Sequence, residues 1–161
     1  MTVKERIEQA EAPADKPFWE RPLHTLNRQE WEQLCDGCGR CCLKKLGEAD
    51  SPRVHYTRVI CRYFDQRTSR CGCYASRTRK VPDCLQVWEH DIGELKWIPS
   101  TCAYKLRHEG RPLYDWHPLL AGSRTLMEEQ GIAVAGRVLS EEYVHEDGME
   151  EHVIHWVSAD D

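Results

Sequence analysis

The chain has 161 residues, 40% hydrophobic and 30% charged, with a net charge of −5, which suits one domain with a loosely attached end. This balance excludes wholesale disorder, and no stretch reaches the ~18 apolar residues expected of a membrane span. The first fifteen residues lack the apolar core of a secretory signal, so the nine cysteines are expected in the reducing cytoplasm, as ligands or reactive thiols rather than disulfides.

Residues 1–16 read as a mobile polar lead-in, 17–140 as a cysteine-cluster metal-binding domain, and 141–161 as an acidic segment packed as a strand or partly mobile. Phe18, Trp19, Leu23 and Leu26 supply apolar anchors around Pro22. Asn27 followed by Glu30 forms a capping-box pattern. Trp31, Leu34 and Cys35 follow at helical spacing, so a short helix should deliver Cys35. A second helical turn is expected over Cys41 to Leu46, stopped by Gly47. The β-branched run from Arg53 to Ile60 reads as a strand, continuing toward Asp65. Arg70 to Tyr74 should pair back after a turn at residues 66–69, and 75–81 should be a loop or a single helical turn. Ser100 is expected to cap the next helix, with Gly110 as its stop. Residues 111–120 read as an ordered loop, and Ser123 as the start of a helix ending near Gly131. Ile132 to Ala135, Val138-Leu139 and His152 to Val157 read as strands. The class implied is α+β, a small single domain of short elements around a cysteine-rich metal site.

The centre of the sequence is Cys35-Asp36-Gly37-Cys38-Gly39-Arg40-Cys41-Cys42, four thiols in eight residues. Thiolates are soft ligands that select zinc, copper(I) or iron–sulfur clusters. Glycines between them allow the sharp turns that aim backbone N–H groups at sulfur. Cys61, Cys71, Cys73, Cys84 and Cys102 follow. The opening spacing matches a bacterial ferredoxin, but Lys45 stands where its next cysteine would fall. Cys41 and Cys42 are neighbours whose side chains diverge, so they are not expected to serve one metal together, and one of them should ligate elsewhere or line the core. Cys102 lies on a predicted apolar helix stripe and reads equally as core and ligand.

Charge is unevenly spread. Residues 53–80 hold eight basic side chains and the single acid Asp65, and residues 141–161 hold eight acids and no Lys or Arg. Both runs could be solvated faces. Alternatively, the arginines balance an anionic metal–thiolate centre, since four thiolates on one zinc leave a formal charge of −2. Nucleic-acid binding is disfavoured by the acidic total.

The string Cys35 to Cys42, then Cys61, then Cys73-Tyr74 leading to Pro82-Asp83-Cys84, resembles the CxxCxxCC cysteine-cluster family of zinc- or iron-chelating domains. Pro17-Phe18-Trp19, Glu30-Trp31-Glu32, Cys71-Gly72-Cys73, Trp97-Ile98-Pro99, Thr101-Cys102-Ala103-Tyr104 and Trp116 to Leu120 resemble its YcgN-like bacterial branch. The likeness spans roughly residues 17–126. It implies metal chelation in a small cytosolic protein. Where the family often has Arg-Pro after its Cys-Tyr pair, this chain has Arg77-Thr78 and places its proline at 82.

The candidate ligands are therefore Cys35, Cys38, Cys41, Cys42, Cys61, Cys71, Cys73 and Cys84, with zinc or an iron–sulfur cluster as cofactor. The function expected is metal binding. Its rivals are an iron–sulfur redox protein or oxidoreductase component, and a thiol-based metal-handling or redox-sensing protein. No catalytic constellation, phosphate loop or zinc-protease helix is present. An unidentified protein partner is compatible with this reading, and a membrane is not. His55 and His117 are the histidines best placed for a role, though a lone histidine is more often a structural hydrogen-bonding group. The six tryptophans read as core.

Overall fold

The computed structural model describes Thr2, residues 16–81, Cys84 and residues 87–159. Most of the expected lead-in lies outside the described residues, as do Pro82, Asp83 and Leu85. In chain order the elements are α1 (Arg28–Leu34), β1 (Leu43–Gly47), β2 (Val54–Ile60), β3 (Phe64–Asp65), β4 (Arg70–Cys71) and α2 (Arg77–Lys80). They continue with α3 (Ala103–His108), α4 (Pro118–Ala121), α5 (Thr125–Glu129) and β5 (Leu139–Ser140), separated by 3-10 turns. The fold is α+β, built from short helices and small sheets. It divides into two compact units, one within residues 1–36, 85–95 and 101–130, the other within 37–84, 96–100 and 131–161.

The first unit is helical. Asn27 accepts from the Glu30 N–H and Glu30 accepts from the Asn27 N–H, so the expected capping box starts α1. Trp31 and Leu34 on α1 are buried. Trp31 stacks on Tyr104 of α3 at 4.2 Å and meets Trp88 edge-on at 5.4 Å. The Tyr104 hydroxyl donates to the Trp31 carbonyl, so the stack is held at its polar rim too. The expected cap of α3 is corrected. The helix begins after Cys102, which is extended, and Ser100 is buried short of it. Gly110, at φ +73°, ends this segment as expected. Part of the predicted loop 111–120 is the short helix α4, entered through Pro118.

The second unit is a small sheet with a lean core. β1 and β2 are antiparallel, and β5 joins β2 in parallel through Val59–Leu139 and Ile60–Ser140. Leu43, Tyr56, Ile60, Val134, Val138 and Val157 form its buried cluster. The helical turn expected over 41–46 is a correction: only Arg40–Cys42 turns, as 3-10, and Leu43 onward is strand. Leu43 and Leu46 do sit at helical spacing, but pairing with β2 satisfies the backbone and overrides that local preference. The strand 53–60 forms as read, but Cys61 to Asp65 does not continue it. A turn at Arg62-Tyr63 intervenes, and β3 pairs back with β4 as the expected hairpin. Ile132 to Ala135 is irregular, because Val134 is committed elsewhere: its N–H donates to the Cys38 carbonyl and its side chain is buried. The predicted last strand reduces to one bridge, Val153 to Thr57, with Ile154 N–H on the Tyr56 carbonyl. No helix among the described residues is long and apolar enough to cross a membrane.

Candidate metal centre

Cys35 terminates α1 in the first unit, with extended backbone and an exposed side chain. The remaining seven candidate thiols belong to the second unit. There Gly39 has φ +82°, a left-handed turn that glycine adopts at no steric cost. A side chain at Gly39 would also collide with Val134 and Phe64, its Cβ meeting their carbons at 2.6 and 2.7 Å. The turn brings the Arg40 N–H to 3.5 Å from the Cys38 sulfur. A backbone donor aimed at sulfur stabilises a thiolate, which supports Cys38 as a ligand. Arg40 itself is buried. It donates to the carbonyls of Ile132 at 2.8 Å and Gly131 at 3.3 Å, and lies over the Trp156 ring. An arginine inside a cysteine string was the signal for this anchor, and sequence reading passed over it.

Cys42 lies beside Cys61. Its carbonyl accepts from the Cys61 N–H at 3.1 Å, tying the end of the first string to the end of β2. Its thiol is pushed far above the ordinary range. The largest cause is the hydrogen bond with Cys41, then burial, then the like charge of Cys41, Cys61 and Cys71 nearby. Cys71 lies on β4, and its sulfur is 3.7 Å from that of Cys73. Burial raises Cys73, and Cys71 raises it further. Burial also raises Cys84, as do Cys41, Cys71 and Cys61, against the pull of Arg77. Cys41, Cys42, Cys61, Cys71, Cys73 and Cys84 are thus electrostatic neighbours, although they come from four separate stretches of chain. Among the described residues no group of three or more His, Cys, Asp or Glu side chains stands in metal-holding geometry.

The chemistry of this donor set suits a soft cation. The hydrogen bond with Cys41 and then burial raise Cys42, and burial raises Cys73 and Cys84. Repulsion between neighbouring anions adds to it, and a metal ion that replaces the protons removes that repulsion. Cations are already at hand. Lys45 is desolvated, and its ammonium lies over Tyr56 and Trp97 at 5.1 and 4.9 Å. It donates to the carbonyls of Cys41 at 2.9 Å and Leu43 at 2.7 Å, on either side of Cys42. Burial lowers its pKa, and the thiols of Cys41, Cys42 and Cys84 pull it back up. From the basic run, Arg77 acts on Cys84 and Lys80 on Cys73. Arg62 instead pairs with Glu141, and Arg58 donates to His152. Sequence reading credited the arginines and overlooked Lys45, which lies outside the basic run.

The histidines serve structure. His117 is buried, accepts from the Leu119 N–H at Nδ1 and donates from Nε2 to the Leu34 carbonyl at 2.8 Å, which fixes its neutral tautomer. His55 bonds Glu48 on the surface. Cys102, at the start of α3, belongs to the first unit.

Residues 34–103 match the CxxCxxCC family model, whose description is "Putative zinc- or iron-chelating domain". Over 140 residues the chain is 50% identical to a UPF0260 protein of Azotobacter vinelandii, covering 86% of this chain and 94% of that one. A UPF0260 protein of Pseudomonas putida is 49% identical over 86% of this chain and 93% of its own length. One from Marinobacter nauticus is 45% identical over 89% of this chain and 98% of its own. No solved structure gives a significant match. With its cysteine string inside the matched segment and its likeness to these relatives running well beyond it, the chain belongs to the UPF0260 family.

Proposed function

We propose that the protein binds zinc or iron through the cysteines of its second unit, and that binding rather than catalysis is its activity. The observation that supports this is the pairing of Cys42 with Cys61 through the backbone and the 3.7 Å approach of the Cys71 and Cys73 sulfurs, with Lys45 bonded to the carbonyls on either side of Cys42. Cys38 is added on its Cys-x2-Cys spacing and on the Arg40 N–H that favours its thiolate. Cys35 rests on its Cys-x2-Cys spacing alone. Zinc would supply a redox-silent staple; an iron–sulfur cluster would supply electron transfer. The protein's own residues bind, orient and neutralise. Gly39 shapes the loop, the Arg40 N–H stabilises sulfur as thiolate, and Lys45 screens charge while fixing the backbone around Cys42. A cytoplasmic setting, where thiols stay reduced, belongs to the same proposal.

The test is anaerobic purification followed by elemental analysis and an absorption spectrum. At least one zinc or iron per chain is expected. Cys61→Ser should lower that content and Cys102→Ser should leave it unchanged. Where the metal is structural, its loss should also weaken cooperative unfolding, because metal binding to a site absent from the unfolded chain is folding free energy. Protein that carries no metal and takes up neither zinc nor iron(II) on titration would refute the reading.

A further inference from the structure

Glu141 lies in the acidic C-terminal run, beyond the segment that matches the family model. The parallel register of β5 on β2 pairs Val59 with Leu139 and Ile60 with Ser140, which carries Glu141 to the level of Cys61. Its carboxylate uses both oxygens. Oε1 accepts from the Arg62 N–H at 3.0 Å and from Arg62 Nε at 3.3 Å. Oε2 is 3.0 Å from the Lys44 ammonium. Lys44 follows Cys42 by two residues, and Arg62 follows Cys61 directly. The Glu141 side chain is only 19% exposed, so these bonds are screened less than an ordinary surface pair.

The place it grips is irregular. The β1–β2 register shifts between Leu43 and Lys45, leaving Lys44 at the irregularity. A ladder interrupted in this way bends the strand and re-aims side chains. Ser140 accepts the Glu142 N–H and so caps the turn that presents Glu141.

We propose that Glu141 is a positioning residue for the cysteine centre: one carboxylate bridges the backbone beyond Cys42 to the turn beyond Cys61 and holds the two thiols together. This rests on the reading of those thiols as the metal centre, and the experiment separates the two claims. Wild type, Glu141→Ala and Glu141→Gln are treated with iodoacetamide under native conditions as purified, and each cysteine is followed by peptide mass spectrometry. Cys102, in the other unit, is the internal reference. In Glu141→Ala, alkylation of Cys42 and Cys61 should rise on the order of tenfold, the factor that about 1.4 kcal/mol of lost holding energy gives. Cys102 should change by less than about twofold. Glu141→Gln keeps an acceptor for the Arg62 N–H but loses the ion pairs, so its rise should be intermediate, and it decides the matter if the alanine variant does not fold. Rates at Cys42 and Cys61 that move no more than that of Cys102 would overturn the proposal. Metal content is measured on the same samples. If wild type carries none, the metal reading fails on its own, and the alkylation pattern still judges the clamp.

Discussion

The two units solve the same problem with different materials. The first closes on large aromatic faces: Trp31 stacks on Tyr104 and meets Trp88, while buried His117 links α4 to the end of α1. The second has a short three-stranded sheet over a cluster of mostly aliphatic side chains, with thiols and cations beside it. Aromatic side chains bring area and rim hydrogen bonds together, which is how the helical unit fills its interior. A sheet this small sits at the lower limit of what side-chain burial alone stabilises, and a metal site is the usual supplement.

That contrast can be broken from either side. The largest effect is expected from Trp31→Ala, about 3–5 kcal/mol of lost stability in urea titration, from loss of the stack and the cavity it leaves. Metal per chain should stay at the wild-type value below the unfolding transition, and a parallel drop in metal would mean that the two units are not separable. Gly39→Ala should cost about 2–4 kcal/mol, from the left-handed backbone and from overlap with Val134 and Phe64. Hydrogen exchange should speed up in β1 and β2 while α1 keeps its protection; equal loss in both would erase the distinction. The smallest effect concerns acid. Burial raises the Glu141 carboxyl, but the Arg62 N–H and the Lys44 ammonium outweigh it, leaving the pKa below its usual 4.5. A lowered carboxyl stabilises the fold above its unfolded pKa and loses that contribution as pH falls through the folded value. Glu141→Gln should therefore flatten the stability profile below about pH 4.5 and lie parallel to wild type above it; coincident acid limbs would remove Glu141 from the account.

What could be read in advance was local. Asn27 and Glu30 announced α1 because a capping box is a contact between residues three apart. The hairpin of β3 and β4 was likewise visible from its intervening turn. The failures came where a distant partner decides. Leu43 to Gly47 is a strand because β2 lies beside it, and Ser100 is no cap because the helix begins only after Cys102, while the Ser100 N–H pairs with the distant Ser158 carbonyl. The cysteines advertised themselves by type and spacing, but spacing could not say which of them become neighbours. Glu141 left no mark at all, one acid among eight whose role appears only once β5 is laid against β2.

Eighty positions separate Val59 from Leu139, and their pairing places β5 on the sheet. Closing so long a loop is entropically slow compared with forming the β1–β2 and β3–β4 hairpins. A chain made from its N-terminus exposes every cysteine before residue 139 leaves the ribosome. The nascent polypeptide therefore carries Cys42 and Cys61 without the carboxylate that later bridges Lys44 and Arg62.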